Sequence, residues 1–226
     1  CAQQARELLG LGFSTLKMKV GLSTPEQDAQ RVIAVSQVLP EHGKIRLDAN
    51  QVLDYESAIR FCEEIVGITC IQFLEQPFLP SQWRLTEKLI SNTSLPIMLD
   101  EAIWDEGHVQ RAADCGSQLI KAKLAKHRGV DGTRRILSLA RSLGLGVVFG
   151  NGVQTALGNY LELKLHNEFH LSLASESNGF LKHSPALLPG LRVDNGHVQG
   201  QGLEGFEALH NEAAVLAKVD FDLAPQ

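Results

Sequence analysis

Thr15-Leu-Lys-Met-Lys19 and Lys44-Ile-Arg-Leu-Asp48 are strand-length apolar runs, and between them Pro25 to Leu39 carries its apolar residues at helical period. A strand, a helix and a second strand in that order make a βαβ unit, whose crossover obliges the two strands to run parallel. The same alternation continues through Cys70-Ile-Gln-Phe-Leu-Glu75, Pro96-Ile-Met-Leu-Asp100, Leu119-Ile-Lys-Ala-Lys123, Leu145-Gly-Val-Val-Phe149 and His170-Leu-Ser-Leu-Ala174. Helical segments fall between them at Tyr55 to Val66, Gln82 to Ile90, Gly107 to Ala113, Gly132 to Leu143 and Thr155 to His166, and Gln3 to Leu9 reads as a first helix. Successive strand ends are separated by 29, 27, 25 and 23 residues from Lys19 through Asp48, Glu75 and Asp100 to Lys123, the length of one βα unit.

Strict alternation leaves an open doubly wound sheet or a closed barrel. Five consecutive strands end in an ionisable residue: Lys19, Asp48, Glu75, Asp100 and Lys123. In an open sheet these ends would lie in a row about 20 Å long and could not share one site, whereas in a barrel they converge on one mouth. No GxGxxG turn follows a strand, so a dinucleotide is not expected. The expected fold is α/β, a TIM-type (β/α)7β barrel. Seven strands are counted where a barrel has eight, the first residue is Cys1 rather than Met, and 226 residues is slightly short for the fold. The expectation is therefore a barrel lacking its first strand, with that strand encoded upstream.

The chain is 44% hydrophobic and 21% charged, the profile of a globular domain rather than a disordered or fibrous one. Its net charge of −5, without a basic run, excludes the electrostatic footprint of nucleic-acid binding. No apolar stretch reaches the length of a membrane span, and the four cysteines form no CxxC pair, so neither membrane, zinc knuckle nor disulfide scaffold is expected and a cytoplasmic location is.

Asp48, Glu75 and Asp100 on adjacent strand ends would repel one another unless a cation joined them. An all-oxygen donor set without Cys or His points to Mg2+, with Mn2+ next. Alternatively, each carboxylate could cap the helix that follows it. Lys17 and Lys19, two apart, share a strand face, as do Lys121 and Lys123. They would flank the acidic strands from both sides, with Lys17 as the electrostatic companion that lowers the basicity of Lys19. The alternative is that they lie outside and extend over the helices. A divalent ion that polarises a carboxylate, with an amine at each face of the α-carbon, suits abstraction of the α-proton.

Leu16-Lys-Met-Lys-Val-Gly21, Leu47-Asp-Ala-Asn-Gln51, Leu74-Glu-Gln-Pro77, Leu99-Asp-Glu-Ala102 and Lys123-Leu-Ala-Lys-His-Arg-Gly129 resemble the enolase superfamily, specifically the muconate lactonizing enzyme branch of its mandelate racemase/muconate lactonizing enzyme family. The resemblance implies Lys19 as general acid/base with Lys17 beside it, Asp48, Glu75 and Asp100 as magnesium ligands, Lys123 as the opposing lysine, and Asn50 and Glu101 as polar support. It implies a barrel domain over residues 1–189, an N-terminal capping domain absent from this chain, and a segment 190–226 that returns toward the cap. The activity implied is Mg2+-dependent proton abstraction α to a carboxylate through an enediolate, giving cycloisomerisation, o-succinylbenzoate synthase-like elimination, or racemisation/epimerisation. The partner is a small-molecule carboxylate, and the full-length protein is expected to be a homo-oligomer. A second reading is a truncated or catalytically incompetent barrel with a structural role.

Of four further features, the first bears on the shape of the loop after Lys123 and the others on substrate. Arg128 stands where the family places the first glycine of a pair. Gly150-Asn-Gly152 puts Asn151 where substrate could approach, although the same residues suit a plain turn. Ser175-Glu176-Ser177 lacks the Asp-x-Asp pattern of the dipeptide epimerases, with Glu176 as a partial substitute. No His-x-Asp pair of the racemase type occurs on the last strands, and His108, His127, His166 and His170 are expected at solvent or helix-face positions.

Overall fold

The computed structural model describes residues 1–150, 155–182 and 191–200. After helix α1 (Ala2–Gly10), strands and helices alternate as β1 (Thr15–Lys19), α2 (Pro25–Ser36), β2 (Lys44–Asp48), α3 (Tyr55–Glu64), β3 (Ile71–Glu75), α4 (Trp83–Asn92), β4 (Ile97–Leu99), α5 (Glu106–Asp114), β5 (Leu119–Ala122), α6 (Val130–Ser142), β6 (Gly146–Phe149) and α7 (Ala156–Glu168). The six strands form one sheet in sequence order. Every neighbouring pair is parallel, as the crossovers require.

Helices α2, α3, α5 and α7 begin where a side chain satisfies a free N–H group. Thr24 and Gln27 form a capping box on α2, and Asp54, Asp105 and Thr155 accept the N3 amide of α3, α5 and α7. The residues pointing outward from the strands, among them Ile45, Leu47, Leu74, Ile97, Leu99 and Ile120, pack against Val32, Phe61, Leu89, Val109 and Ile136 of the helix layer. The inward face carries a separate apolar floor of Phe73, Met98, Leu119 and Val148. Because side chains alternate along a strand, the residues two places beyond that floor share its face: Glu75, Asp100, Lys121 and Gly150.

The sheet is strongly curled. Arg46 on β2 donates from Nη2 to the carbonyl of Ala174 at 2.8 Å and from Nη1 to Glu176 at 3.1 Å. In a flat sheet, at about 4.8 Å per strand, β2 and a strand beyond β6 would be about 24 Å apart. The contacts therefore show a sheet curled into a half-barrel, with β1 and β6 as its edges among the described residues.

The segment His170 to Ala174 is not a strand, which corrects the expected seventh. His170 has φ 49, and the carbonyls of Leu173 and Ala174 accept from the side chains of His166 and Arg46 rather than from a neighbouring strand. One sheet-like bond remains, from the amide of Glu176 to Phe149 O at 2.8 Å. A short 3-10 turn (Gly179–Lys182) follows, and strands β7 (Leu191–Asp194) and β8 (His197–Gly200) form an antiparallel hairpin. Asn195 and Gly196, both at positive φ, make its two-residue turn, which packs against Gly12 beyond α1.

Candidate functional site

Lys19, Asp48, Glu75, Asp100 and Lys123 all lie at or one residue beyond the C-terminal ends of β1 to β5. The register is aligned there: Lys19 pairs with Asp48, and Asp48 with Glu75. Lys17 and Lys121, each two residues before the terminal lysine of its strand, point into the interior, so the lysines do not lie over the helices.

Two charge clusters result. In the first, the Lys17 ammonium stands 2.8 Å from Asp48, 2.7 Å from Glu75 and 3.1 Å from Glu176, and Lys19 meets the same Asp48 oxygen at 2.7 Å. Lys121, only 1% exposed, joins Glu75 at 2.6 Å to Glu176 at 2.7 Å. Arg46 completes the clamp on Glu176 and lies over the Phe73 ring. In the second cluster, Asp100 is held by Lys123 at 2.6 Å and by Lys126 at 2.8 Å. Asn50 connects the two, accepting from Lys19 and donating to Glu101 at 3.1 Å. Among the five lysines Lys19 is the most open, with 55% exposure.

The electrostatics follow from burial set against these partners. Burial pushes the Glu75 carboxyl up to about 7, with the ammoniums of Lys121 and Lys17 opposing it. Burial also raises Glu176, but Lys121, Lys17 and Arg46 outweigh it and hold the carboxyl near 2. For Asp100, Lys126 and Lys123 likewise overcome desolvation and keep the group below the carboxylate range. Lys17 loses solvation, yet Glu75, Glu176 and Asp48 leave it above the usual lysine value.

The expected ligand triplet is thus not a preformed cage. Among the described residues no group of three or more His, Cys, Asp and Glu side chains is arranged to hold a metal ion. Asp48 and Glu75 converge on Lys17 while Asp100 is engaged separately. The donor chemistry nevertheless suits a hard cation: the groups are all oxygen, from three successive strand ends. Glu75 Oε2 accepts no hydrogen bond despite the nearby ammonium, and the buried Glu101 Oε2 has no hydrogen-bond partner.

The remaining expectations divide. Glu176 belongs to the first cluster, and Asn50 and Glu101 lie between the two; Asn151 lies outside the described residues. Arg128 has φ 59, a left-handed backbone that glycine adopts without steric cost. His127 is not at the surface but 3% exposed, with Nδ1 3.1 Å from the carbonyl of Trp104. His166 turns to Leu173 O and His108 to Asp105. Arg46 was not singled out from sequence; its place two residues before Asp48, on the same strand face, was the available signal. Among the described residues no helix is long and apolar enough to cross a membrane.

The family model described as "Enolase C-terminal domain-like" matches residues 1–206. The chain is similar to muconate cycloisomerase 1 of Pseudomonas putida, 29% identical over 63% of this chain and 38% of that protein. It is also similar to L-Ala-D/L-Glu epimerase of Bacillus subtilis (strain 168), 32% identical over 70% of this chain and 43% of that one. The o-succinylbenzoate synthase of Thermosynechococcus vestitus is 36% identical over 46% of this chain and 33% of that one. The chain therefore spans less than half the length of these curated relatives. Among solved structures, muconate cycloisomerase from Pseudomonas fluorescens superposes with a TM-score of 0.78 at 26% identity, over 93% of this chain and 61% of that one.

Proposed function

The chain belongs to the enolase C-terminal domain-like family, and from that premise we propose that it carries the acid/base and metal-ligand residues of an enzyme that removes the proton α to a carboxylate, through an enediolate. Elimination and racemisation or epimerisation begin with that step; cycloisomerisation passes through the same enediolate, formed by addition to a double bond, and uses the lysine to deliver the α-proton. The observation that carries this reading is the row Lys19, Asp48, Glu75, Asp100, Lys123 on five consecutive strand ends, with a lysine at each end of the carboxylates.

Asp48, Glu75 and Asp100 would hold a divalent cation, Mg2+ or Mn2+. Bound there, it supplies positive charge that polarises the substrate carboxylate. Lys19 Nζ takes the α-proton, and it is the most open of the paired amines to solvent. Lys17 shares the Asp48 oxygen with Lys19 and keeps a second positive charge beside it. Lys123 faces the substrate from the opposite end of the row and delivers or receives a proton on the other face. Asn50 orients Lys19 through its carbonyl oxygen and is itself fixed by Glu101. The barrel portion is read over residues 1–189 and the segment returning toward a capping domain over 190–226, of which 151–154, 183–190 and 201–226 lie outside the described residues. The substrate is a small carboxylate, and cytoplasmic location and homo-oligomeric assembly complete the reading.

The test is exchange of α-protons with solvent deuterium, followed by NMR over a panel of carboxylates with the full-length protein and Mg2+. Positioned acid/base groups contribute about 100- to 10,000-fold, so Lys19→Ala and Lys123→Ala should each slow exchange by that order. Exchange at the wild-type rate in either variant rejects the acid/base assignment.

A further inference from the structure

Gln76, directly after Glu75, is 1% exposed and has φ 38, a left-handed backbone unusual for a residue with a side chain. Such conformations persist only where the surroundings enforce them, and here both polar atoms of the amide are engaged. Its Oε1 accepts the backbone N–H of Asp100 at 2.9 Å and of Ala102 at 3.1 Å, and its Nε2 donates to Phe78 O at 2.8 Å. Its own backbone is shared in the same way: the amide donates to Met98 O at 2.9 Å, and the carbonyl accepts from Gln51 N at 2.8 Å. One buried residue thereby joins the turn after Asp48, the end of the strand bearing Glu75 and the turn bearing Asp100 and Glu101.

We propose that Gln76 is a positioning residue that sets the spacing of Asp48, Glu75 and Asp100, with its side-chain amide bending residues 100–102 and so fixing where the Asp100 carboxylate stands at the strand ends; this rests on the reading of those three as cation ligands. Only an uncharged group with both an acceptor and a donor fits the place. The acceptor must serve two converging N–H groups, the donor must serve a carbonyl, and an added negative charge would stand beside three carboxylates. The backbone bonds hold the strands at their separation, and the amide braces the turn after β4 from the side of β3, beside the turn's own bond from Ile103 N to Asp100 O at 2.9 Å.

The test is Mn2+ binding by the full chain, read from the paramagnetic resonance signal of free Mn2+, together with hydrogen exchange of the peptide 98–104 in the metal-free protein. Gln76→Met keeps the volume and removes the amide; Gln76→Gly removes it while relieving the left-handed backbone. Both should weaken Mn2+ binding by about 10- to 100-fold, the range for groups that orient a ligand, and both should speed exchange at 98–104. Ser117→Ala is the comparison, since Ser117 Oγ donates to Ile97 O and Leu119 O at the opposite end of β4 and β5. It removes a buried hydrogen bond without touching the strand ends, and its Mn2+ affinity should equal that of the wild type. Wild-type affinity in a folded Gln76 variant, or an equal loss in Ser117→Ala, overturns the positioning role. If the wild type itself binds no Mn2+, the cation reading falls, and exchange decides Gln76 alone: an unchanged rate at 98–104 rejects it.

Discussion

Lys121 is a lysine enclosed in the barrel interior, and removing a charge from water costs several kcal/mol unless it is matched. Two carboxylates match it, and the chain also makes room: a Cβ on Gly150 would come within 2.2 Å of Lys121 Cδ. Gly150→Ala should therefore cost about 1–3 kcal/mol by overpacking. At about 2–4 °C per kcal/mol for a chain of this size, its thermal midpoint should fall by about 2–12 °C. A second buried group sets a pH dependence. Burial pushes the Glu162 carboxyl on α7 up to about 7, opposed by hydrogen bonds from Ser177 and Asn159 and by the Lys123 charge. An acid whose folded value is raised favours the folded state while protonated, so this contribution is complete below about 4.5 and is lost as pH rises through about 7. At about 1.4 kcal/mol per pH unit, the wild type should lose roughly 3 kcal/mol relative to Glu162→Gln between pH 4.5 and 7.5, measured by urea unfolding. An equal pH slope in both proteins rejects this. Inward lysines were legible in the sequence because i and i+2 share a strand face. Gln76 and His127 were not, since their partners are backbone carbonyls and amides of other loops, which leave no spacing pattern.

At the scale of elements, strands were read to within a residue or two because apolar runs ending in a charge mark where a buried strand meets the mouth. The segment His170 to Ala174 has the same composition, but its carbonyls are taken by side chains from α7 and β2. Tertiary partners decided its conformation, and local sequence could not show them. Helix starts are more local, and α2 offers a direct measure. The Thr24 hydroxyl and the Gln27 side chain bond each other's backbone amides at 3.3 and 3.4 Å. Thr24→Ala should cost about 1 kcal/mol in urea unfolding. Gln27→Ala alone should cost less, because the Thr24 bond survives it.

At the scale of the molecule, the sheet carries its charge on the inside, which is an unusual place to store it. Lys17, Arg46 and Lys121 bind Glu75 and Glu176 across the interior, joining β1, β2, β3 and β5 to the segment beyond β6. The curl is thus held by ionic contacts as well as by the floor of Phe73, Met98, Leu119 and Val148. A cation bound by Asp48, Glu75 and Asp100 would join three successive strands and would bind the folded chain only, since the unfolded chain cannot bring those carboxylates together. By mass action its stabilisation grows with concentration and reaches about 2.7 kcal/mol at a hundred times the dissociation constant. Mg2+ should therefore raise the thermal midpoint by about 5–11 °C at that ratio, and a chelator should reverse the rise. The ammoniums of Lys17, Lys19 and Lys123 occupy the same carboxylates and compete with the cation, so Lys17→Met should bind Mg2+ more tightly than the wild type while being less stable without it. Asp100→Asn should abolish the Mg2+-dependent rise. A rise of equal size in Asp100→Asn would mean that the cation stabilises the chain from somewhere other than the strand ends.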